Sequence, residues 1–256
     1  MQPPLRSTAA QRPDRVAAAL SLIAATWPRW LLNAGAPGPD DPATDWRILF
    51  DRWPHLQVIL SDPTDGHLIA VANSAPLAWD GPADALPAEG WDWAFTAALD
   101  DDAAGRETHT LCALAVTVNV SHQGEGWSRV MLQHLKAVAR DAGLGRLIVP
   151  VRPNRKHLQP TTPMAEYIDQ KTDEGLPADP WLRTHVRLGA RVVHPCERSM
   201  QLAGHIDDWQ RWLGVGLTDA PVQLAPTLLA PLRIDAAAKI ARYVEPNVWV
   251  EHPMRP

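Results

Sequence analysis

Seven consecutive residues near the middle of the chain combine glycines with polar side chains in a pattern suited to binding an anion. They are Gln123, Gly124, Glu125, Gly126, Trp127, Ser128 and Arg129. If a helix begins here, its first backbone N–H groups lack intrahelical partners, and the helix dipole adds partial positive charge. Glycines let the backbone approach phosphate groups closely, and an arginine in the first turn adds a charge-assisted contact. The segment therefore predicts a phosphate-binding turn.

The same turn has a simpler interpretation, because two glycines can also do no more than start a helix. Two better-known phosphate motifs are excluded. No Gly-Lys-Ser/Thr follows, as the loop of nucleoside triphosphatases requires, and the GxGxxG pattern of dinucleotide-binding sites is missing. The elements on either side of the turn decide between the remaining interpretations.

The turn lies between a predicted strand and a predicted helix. Residues 108–120 form a long apolar run rich in β-branched residues, which predicts a buried central strand. Residues 128–142 follow helical periodicity and are stopped by Gly143 and Gly145. Residues 147–151 predict the next strand. The order is that of a β-α-β unit with the glycine turn at the start of its helix.

This stretch resembles the coenzyme A-binding core of the GNAT acyltransferase superfamily. In that family a strand is followed by Gln-x-x-Gly-x-Gly/Ala and a helix, and Gln123, Gly126 and Ser128 occupy the marked positions. Ser128 departs from the family's Gly or Ala, but a small serine is compatible with a helix start. The resemblance covers residues 14–200. It implies an α/β (α+β) fold in which helices flank a mixed central sheet.

The resemblance also implies how an acyl-coenzyme A, such as acetyl-CoA or malonyl-CoA, would bind as cosubstrate. The central strands are expected to splay and leave a slot for it. Backbone groups near Val118 and Val120 would hold the thioester and the pantetheine arm, and residues 123–129 would hold the pyrophosphate. The family's chemistry needs no metal, and none is expected.

A catalytic group is expected on the next helix. Many GNAT enzymes carry a tyrosine four residues before a Gly-Phe pair, and this tyrosine protonates the leaving thiolate. Within residues 179–193, Gly189 and Ala190 stand where that pair would be, and the residue four before Gly189 is His185. Histidine has a pKa of about 6.5 and can act as an acid or a base near neutral pH. A structural histidine is the alternative.

Residues 154–179 are a longer segment than the family usually has at this point, predicted to be a loop, a short helix and another loop. This insertion, the GWDW segment and the histidine at 185 together resemble the GNAT-like loading domains of modular polyketide synthases. That group is associated with malonyl-CoA decarboxylation and acyl transfer to a carrier protein, using a threonine and a histidine. The resemblance implies catalytic roles for Thr162 (or Thr161) and His185. A surface insertion without substrate contact is the alternative.

The folded part of the chain is predicted to be one domain. Residues 1–12 are expected to be disordered, and residues 13–256 are expected to form a single GNAT-like domain whose first helix extends to residue 32. From about residue 200 a C-terminal extension follows the family's core. This extension could complete the sheet, form a homodimer contact or cover the acceptor groove.

Composition limits the kinds of partner. The formal charge of −5 argues against nucleic acid and anionic membranes. Cys112 and Cys196 are the two cysteines, so neither a disulfide framework nor a thiolate metal cluster is expected, and a cytoplasmic location fits. Twelve tryptophans against two phenylalanines and two tyrosines predict a tryptophan-anchored core. Trp91, Trp93 and Trp127 are candidates to shape an acyl pocket.

Three functions follow from this reasoning. The leading one is an acyl-CoA-dependent acyltransferase that moves the acyl group to an amine or to a carrier-protein thiol. The second is a malonyl-CoA or methylmalonyl-CoA decarboxylase of the GNAT-like type. The third is a non-catalytic acyl-CoA-binding module, which the missing tyrosine would permit.

Overall fold

The computed structural model describes residues 3–33 and 46–254. Within these ranges, nine strands form one sheet in the order β1-β2-β3-β4-β5-β9-β8-β7, and β6 pairs with β9. The strands are β1 Leu5–Thr8, β2 Val58–Ser61, β3 Leu68–Leu77, β4 Thr110–Val118, β5 Arg146–Val151, β6 Arg191–His205, β7 Val222–Gln223, β8 Leu232–Asp235 and β9 Ile240–Pro253. The pair β4–β5 is parallel and the other pairs are antiparallel. The mixed sheet confirms the predicted fold class.

The same ranges contain eight α-helices, which cover the sheet. They are α1 Val16–Thr26, α2 Arg29–Asn33, α3 Arg47–Arg52, α4 Gly90–Ala103, α5 Trp127–Asp141, α6 Met164–Ile168, α7 Pro180–Arg187 and α8 Ile206–Leu213. None of these helices is both long and apolar enough to span a bilayer.

The sheet separates two apolar layers at β2 and β3. Ile59 lies opposite Val71, and both pack in one cluster with Ile23 of α1. Successive side chains of a strand point to opposite faces. Val58 accordingly packs in the other and larger core, to which α5 contributes Leu132.

The predicted first helix is interrupted near its end. α1 ends at Thr26, Trp27 is extended with ψ 145°, and α2 begins at Arg29. Pro28 explains the break, because proline disfavours a helical conformation at the residue before it. The bend carries Trp27 across the sheet, where its indole N–H donates to Thr117 Oγ1 at 2.8 Å.

The two central strands separate after three paired positions. β4 and β5 are joined from Thr110–Arg146 to Cys112–Ile148, and further along β4 pairs with β3 while β5 pairs with β9. A gap therefore opens between residues 113–118 of β4 and residues 149–151 of β5. This is the splay that the family resemblance implies.

The first residues of the chain depart from the sequence-based expectation, and the C-terminal extension takes one of the roles left open for it. Residues 1–12 were expected to be disordered, but Leu5–Thr8 forms an edge strand paired with β2 over four positions. The pairing satisfies backbone groups that a disordered segment would leave to water. Within the C-terminal extension, β9 is an inner strand, because β5, β6 and β8 all pair with it. Of the three roles open to the extension, it fulfils that of completing the sheet.

The tryptophan-rich composition is explained largely by packing. Trp30, Trp209 and Trp249 are among the largest fully buried side chains. Trp30 and Trp209 stack with ring centroids 6.3 Å apart, and both contact the ring of Tyr243. This aromatic cluster attaches α2 and α8 to β9, so the extension has an apolar core of its own.

Candidate active site

The glycine turn has the backbone conformation that the sequence predicts. Gly124 and Gly126 both have φ of +86°, in the left-handed region that non-glycine residues rarely occupy. Gly126 caps α5, and its carbonyl accepts the first helical hydrogen bonds from the N–H groups of Arg129 and Val130. The N–H groups before Arg129 are those that a helix start leaves free for an anion.

Side chains of the turn bind mainly to one another. Glu125 accepts hydrogen bonds from the indole N–H of Trp127 at 2.8 Å and from His122 at 3.2 Å, and these contacts lower the pKa of its carboxyl group. The Gln123 amide donates to Val118 O, the last residue of β4. Arg129 is exposed, so it can reach an anion. In this geometry Glu125, Trp127 and Gln123 shape the loop, and the backbone and Arg129 are the parts free to hold phosphate.

A cavity of about 540 Å³ occupies the gap between the separated strands. Its walls include residues 113–116 of β4 and residues 149–152 at the end of β5, together with Ser128 and Leu132 of α5. Ser128 belongs to the glycine turn, so the turn and the cavity are continuous. A cavity of this size lies in the usual range for small-molecule sites.

One wall of the cavity is aromatic. Trp91 of α4 stacks on Phe95 with centroids 5.1 Å apart, and Trp46 packs against Trp91. The indole N–H of Trp91 donates to Leu114 O at 3.0 Å, which ties α4 to the free edge of β4. Trp91 thus lines the cavity, as one of the three candidate tryptophans, whereas Trp93 and Trp127 pack outside the lining.

Three polar side chains give the cavity its electrostatic character. Asp92 is half-buried and accepts a hydrogen bond from Gln201 N at 2.9 Å, and burial raises the pKa of its carboxyl group to about 6. Arg152 pairs with Glu245, which is fully buried. Asn247 is buried and donates to Ser199 Oγ at 2.9 Å and to Pro150 O at 3.4 Å.

Val118 and Val120, which were expected to hold the thioester, do not line the cavity. Val118 is buried and pairs with Ala70, and Val120 is exposed in the loop after β4. The strands already separate after Cys112, so the unpaired edge of β4 that faces the cavity begins at residue 113. Residues 113–116 of this edge line the cavity, whereas Val118 and Val120 do not.

His185 lies behind the cavity wall. It has no exposed surface, its Nδ1 lies 2.9 Å from Nε2 of His252, and Trp181 packs edge-on against its ring at 4.4 Å between centroids. Trp181 lines the cavity and His185 does not. Burial, followed by the neighbouring histidine, lowers the pKa of His185 well below its usual value.

The insertion at residues 154–179 forms α6 and returns to the core through Asp179. Tyr167 donates to Asp179 Oδ2 at 2.8 Å, and Asp179 also caps α7. Thr162 is half-buried with its hydroxyl 3.5 Å from Gln159 Oε1, and neither Thr162 nor Tyr167 lines the cavity. The structure thus does not bring Thr162 and His185 together at the cavity.

Sequence reasoning missed Asp92, Arg152 and Asn247. Asp92 offered a weak signal, since it is an acidic residue between two tryptophans of a predicted helix. Asn247 and Arg152 come close only through the pairing of β5 with β9. Nothing in their local sequence marks them.

Comparisons with known proteins agree with this geometry. No family profile matches the chain. The chain is 34% identical over 224 residues to arginine N-acetyltransferase avaD of Aspergillus versicolor, covering 78% of this chain and 76% of that protein.

Two solved structures share the fold. The loading GNATL domain of CurA from Lyngbya majuscula superposes with a TM-score of 0.60 at 15% identity, over 99% of this chain and 98% of that one. The GphF GNAT-like decarboxylase in complex with isobutyryl-CoA superposes with a TM-score of 0.56 at 16% identity, over 98% of this chain and all of that one. With the splayed strands and the glycine turn, these findings show that the chain belongs to the GNAT superfamily and is an acyltransferase of that type.

Proposed function

We propose that this protein transfers an acyl group from acyl-coenzyme A to the amine of a small molecule. The observation that carries the proposal is the gap between β4 and β5, which leads from the glycine turn into the 540 Å³ cavity. A thioester lying in this gap would place its carbonyl in a pocket that holds a carboxylate, Asp92. The amine-acetylating relative supports an amine as acceptor.

The cofactor's two ends would be held by different kinds of group. The pyrophosphate would lie at the start of α5, against backbone N–H groups and Arg129. The pantetheine arm would run along the unpaired edge of β4 at residues 113–116, where it can add backbone hydrogen bonds as a strand would. Apart from Arg129, these contacts use main-chain atoms, so the other side chains there need only be small or apolar.

Arginine and other compact cationic amines are the first acceptors to test. Arginine is the acceptor of the similar N-acetyltransferase. The cavity also presents the aromatic rings of Trp46 and Trp91, which attract cations. The cavity therefore suits a ligand that has N–H donor groups and an apolar stem. A carrier protein would need to reach this cavity through a phosphopantetheine arm, and the structure offers no observation that favours one.

Decarboxylation is a less favoured function for this chain. It depends on Thr162 and His185 acting together on the acyl group, and neither side chain lines the cavity. A catalytic His185 would require the ring of Trp181 to move, because His185 has no exposed surface.

The test is a panel in which the protein meets acetyl-CoA with arginine, agmatine and simple primary amines, and malonyl-CoA without acceptor. We expect thermal stabilisation by acetyl-CoA and release of free CoA together with an acetylated amine. Conversion of malonyl-CoA to acetyl-CoA without acceptor, lost in His185→Gln while CoA binding persists, would establish the decarboxylase instead. Stabilisation without any turnover would establish a binding module.

A further inference from the structure

We propose that Asp92 is the catalytic base of this enzyme and binds the acceptor as its ammonium ion before removing a proton from it. The assignment rests on the proposed function. It adds which residue acts as the base and in which charge state the acceptor binds. The argument depends on where Asp92 lies, which of the cavity's polar atoms are free, and how the local charges balance.

Asp92 is fixed at the cavity by its backbone surroundings. It lies in the first turn of α4, next to Trp91, whose indole binds the carbonyl of Leu114 on the cofactor edge of β4. One carboxylate oxygen accepts the N–H of Gln201 in β6 at 2.9 Å. Among the hydrogen bonds of the described residues, its other oxygen accepts none. One oxygen therefore orients the carboxylate, and the other is left for a ligand in the same cavity as the thioester.

A second residue of the cavity lining has an unpaired acceptor. Asn247 is 1% exposed, and its Oδ1 is buried without a hydrogen-bond partner. Its Nδ2 donates to Ser199 Oγ and Pro150 O, and because a carbonyl can only accept, the amide cannot be turned round. A buried acceptor without a hydrogen-bond partner is unfavourable, because it has lost its contact with water. An N–H donor of a ligand that reaches this oxygen would satisfy it.

The charges lining the cavity favour a cation. Asp92 and Arg152 are the charged residues of its lining within the described part of the chain. Arg152 Nε contacts both carboxylate oxygens of Glu245, at 2.9 and 3.1 Å, so its charge is compensated by a buried partner. Asp92 has no such partner among the residues that the structure describes. The uncompensated charge is negative, and an ammonium ion complements it.

The pKa of the Asp92 carboxyl group suits the role of a catalytic base. Burial raises the pKa of its carboxyl group to about 6, against the opposing hydrogen bond from Gln201 N. Other charges near the start of α4 are tied up in pairs, with Arg198 bound to Glu89 and Arg152 bound to Glu245. A base is most effective when its pKa lies near the working pH.

The reaction then balances without any further reagent. Asp92 takes one proton from the ammonium ion, and the nitrogen lone pair attacks the thioester carbonyl to form the C–N bond. Collapse of the adduct breaks the C–S bond, and the electron pair leaves on sulfur. The remaining extra proton on nitrogen goes to the thiolate, and Asp92 releases its proton to solvent. One ammonium and one thioester give one amide, one thiol and one proton.

Asp92→Asn is the test, because asparagine keeps the shape and can still accept from Gln201 N. Asp100→Asn is the matched control, since Asp100 is an exposed carboxylate on the same helix. We would measure kcat/KM for the best amine from about pH 5 to 9 and the thermal shift given by acetyl-CoA. We expect a loss of about 100- to 10,000-fold in Asp92→Asn, with the rise of wild-type activity through about pH 6 abolished. The acetyl-CoA shift should be unchanged, and Asp100→Asn should match wild type throughout.

The outcomes separate this assignment from the proposed function. Wild-type turnover that survives in Asp92→Asn within a few-fold, with the same pH profile, would overturn the role of Asp92 and leave the acyltransferase intact. A large loss with an unchanged pH profile would also overturn the role as base. Absence of turnover with every amine in wild type would overturn the proposed function and the assignment with it.

Discussion

The glycine turn and the acceptor cavity are two parts of one site, and they are specified in different ways. The turn consists of consecutive residues, and its conformation follows from two glycines at positive φ and the start of α5. The cavity takes its walls from eight of the described helices and strands, between residues 27 and 247. Its free carboxylate comes from α4, and its unpaired amide oxygen comes from β9. A local motif thus marks where the cofactor binds, whereas long-range pairing decides what the cofactor meets.

Gly126→Val should have the largest effect on the binding of the cofactor, and it tests whether the turn by itself holds the phosphates. Valine is strained at φ +86°, and its side chain would occupy the space in which phosphate must approach the N–H groups. We expect the affinity for acetyl-CoA to fall at least about 100-fold, equivalent to about 2.7 kcal/mol. Isothermal titration with acetyl-CoA measures the change.

The matched control for that variant is Gly143→Val. Gly143 lies just beyond the other end of α5 with φ +73°, and a Cβ there also meets no atom within 4 Å. The strain is similar, so both variants should lose similar thermal stability, but Gly143→Val should bind acetyl-CoA like wild type. Equal loss of affinity in both would mean that helix strain, and not phosphate contact, causes the effect at Gly126.

The second prediction concerns the buried pair His185 and His252, whose burial depends on packing between distant parts of the chain. Burial lowers the pKa of His185 and, to about 4, that of His252. In the unfolded chain both imidazoles bind protons below their ordinary pKa of about 6.5, whereas the folded chain keeps them neutral to a lower pH. The stabilisation is therefore complete above about pH 6.5 and is lost as pH falls toward 4. We expect His252 alone to account for about 2 to 3 kcal/mol of lost unfolding free energy between neutral pH and about pH 4.5, and His185 to add to the loss in the same direction.

Urea denaturation at several pH values would check this loss. His252→Gln should be less stable at neutral pH, because it breaks the contact with His185, and should lose less stability on acidification. His67→Gln is the control, since the side chain of His67 is 81% exposed and should not affect the pH dependence. An identical acid sensitivity in His252→Gln and wild type would contradict the assignment to this pair.

The sequence predicts the turn, α5 and β4, because each depends on residues close in the chain, and the family resemblance implies the mixed sheet. It places His185 correctly on a helix before Gly189, but spacing carries no information about its depth. That depth is set by His252 of β9, 67 residues away. The disorder expected for residues 1–12 fails for a related reason. β1 exists because β2 offers it an open edge, which only the assembled sheet defines. Asp92 and Asn247 share the cavity for the same kind of reason.

The smallest expected effect concerns the contact that joins the two parts of the site. The indole N–H of Trp91 donates to the carbonyl of Leu114, on the strand edge where the pantetheine arm would lie. Trp91→Phe keeps much of the ring stacking on Phe95 and removes the donor, so the β4 edge loses one hydrogen bond of about 0.5–1.5 kcal/mol. We expect KM for acetyl-CoA to rise about 3- to 10-fold with little change in kcat.

Trp93→Phe is the control for this contact. Trp93 lies on the same helix but packs edge-on against Trp79 and Trp249, outside the cavity lining. It should lower thermal stability more than Trp91→Phe and leave KM for acetyl-CoA unchanged, because its contacts are with the core. If both variants raised KM equally, α4 would act on the cofactor edge through packing as a whole. In that case α4 would belong to both parts of the site, and the cofactor motif could not be treated as independent of the acceptor cavity.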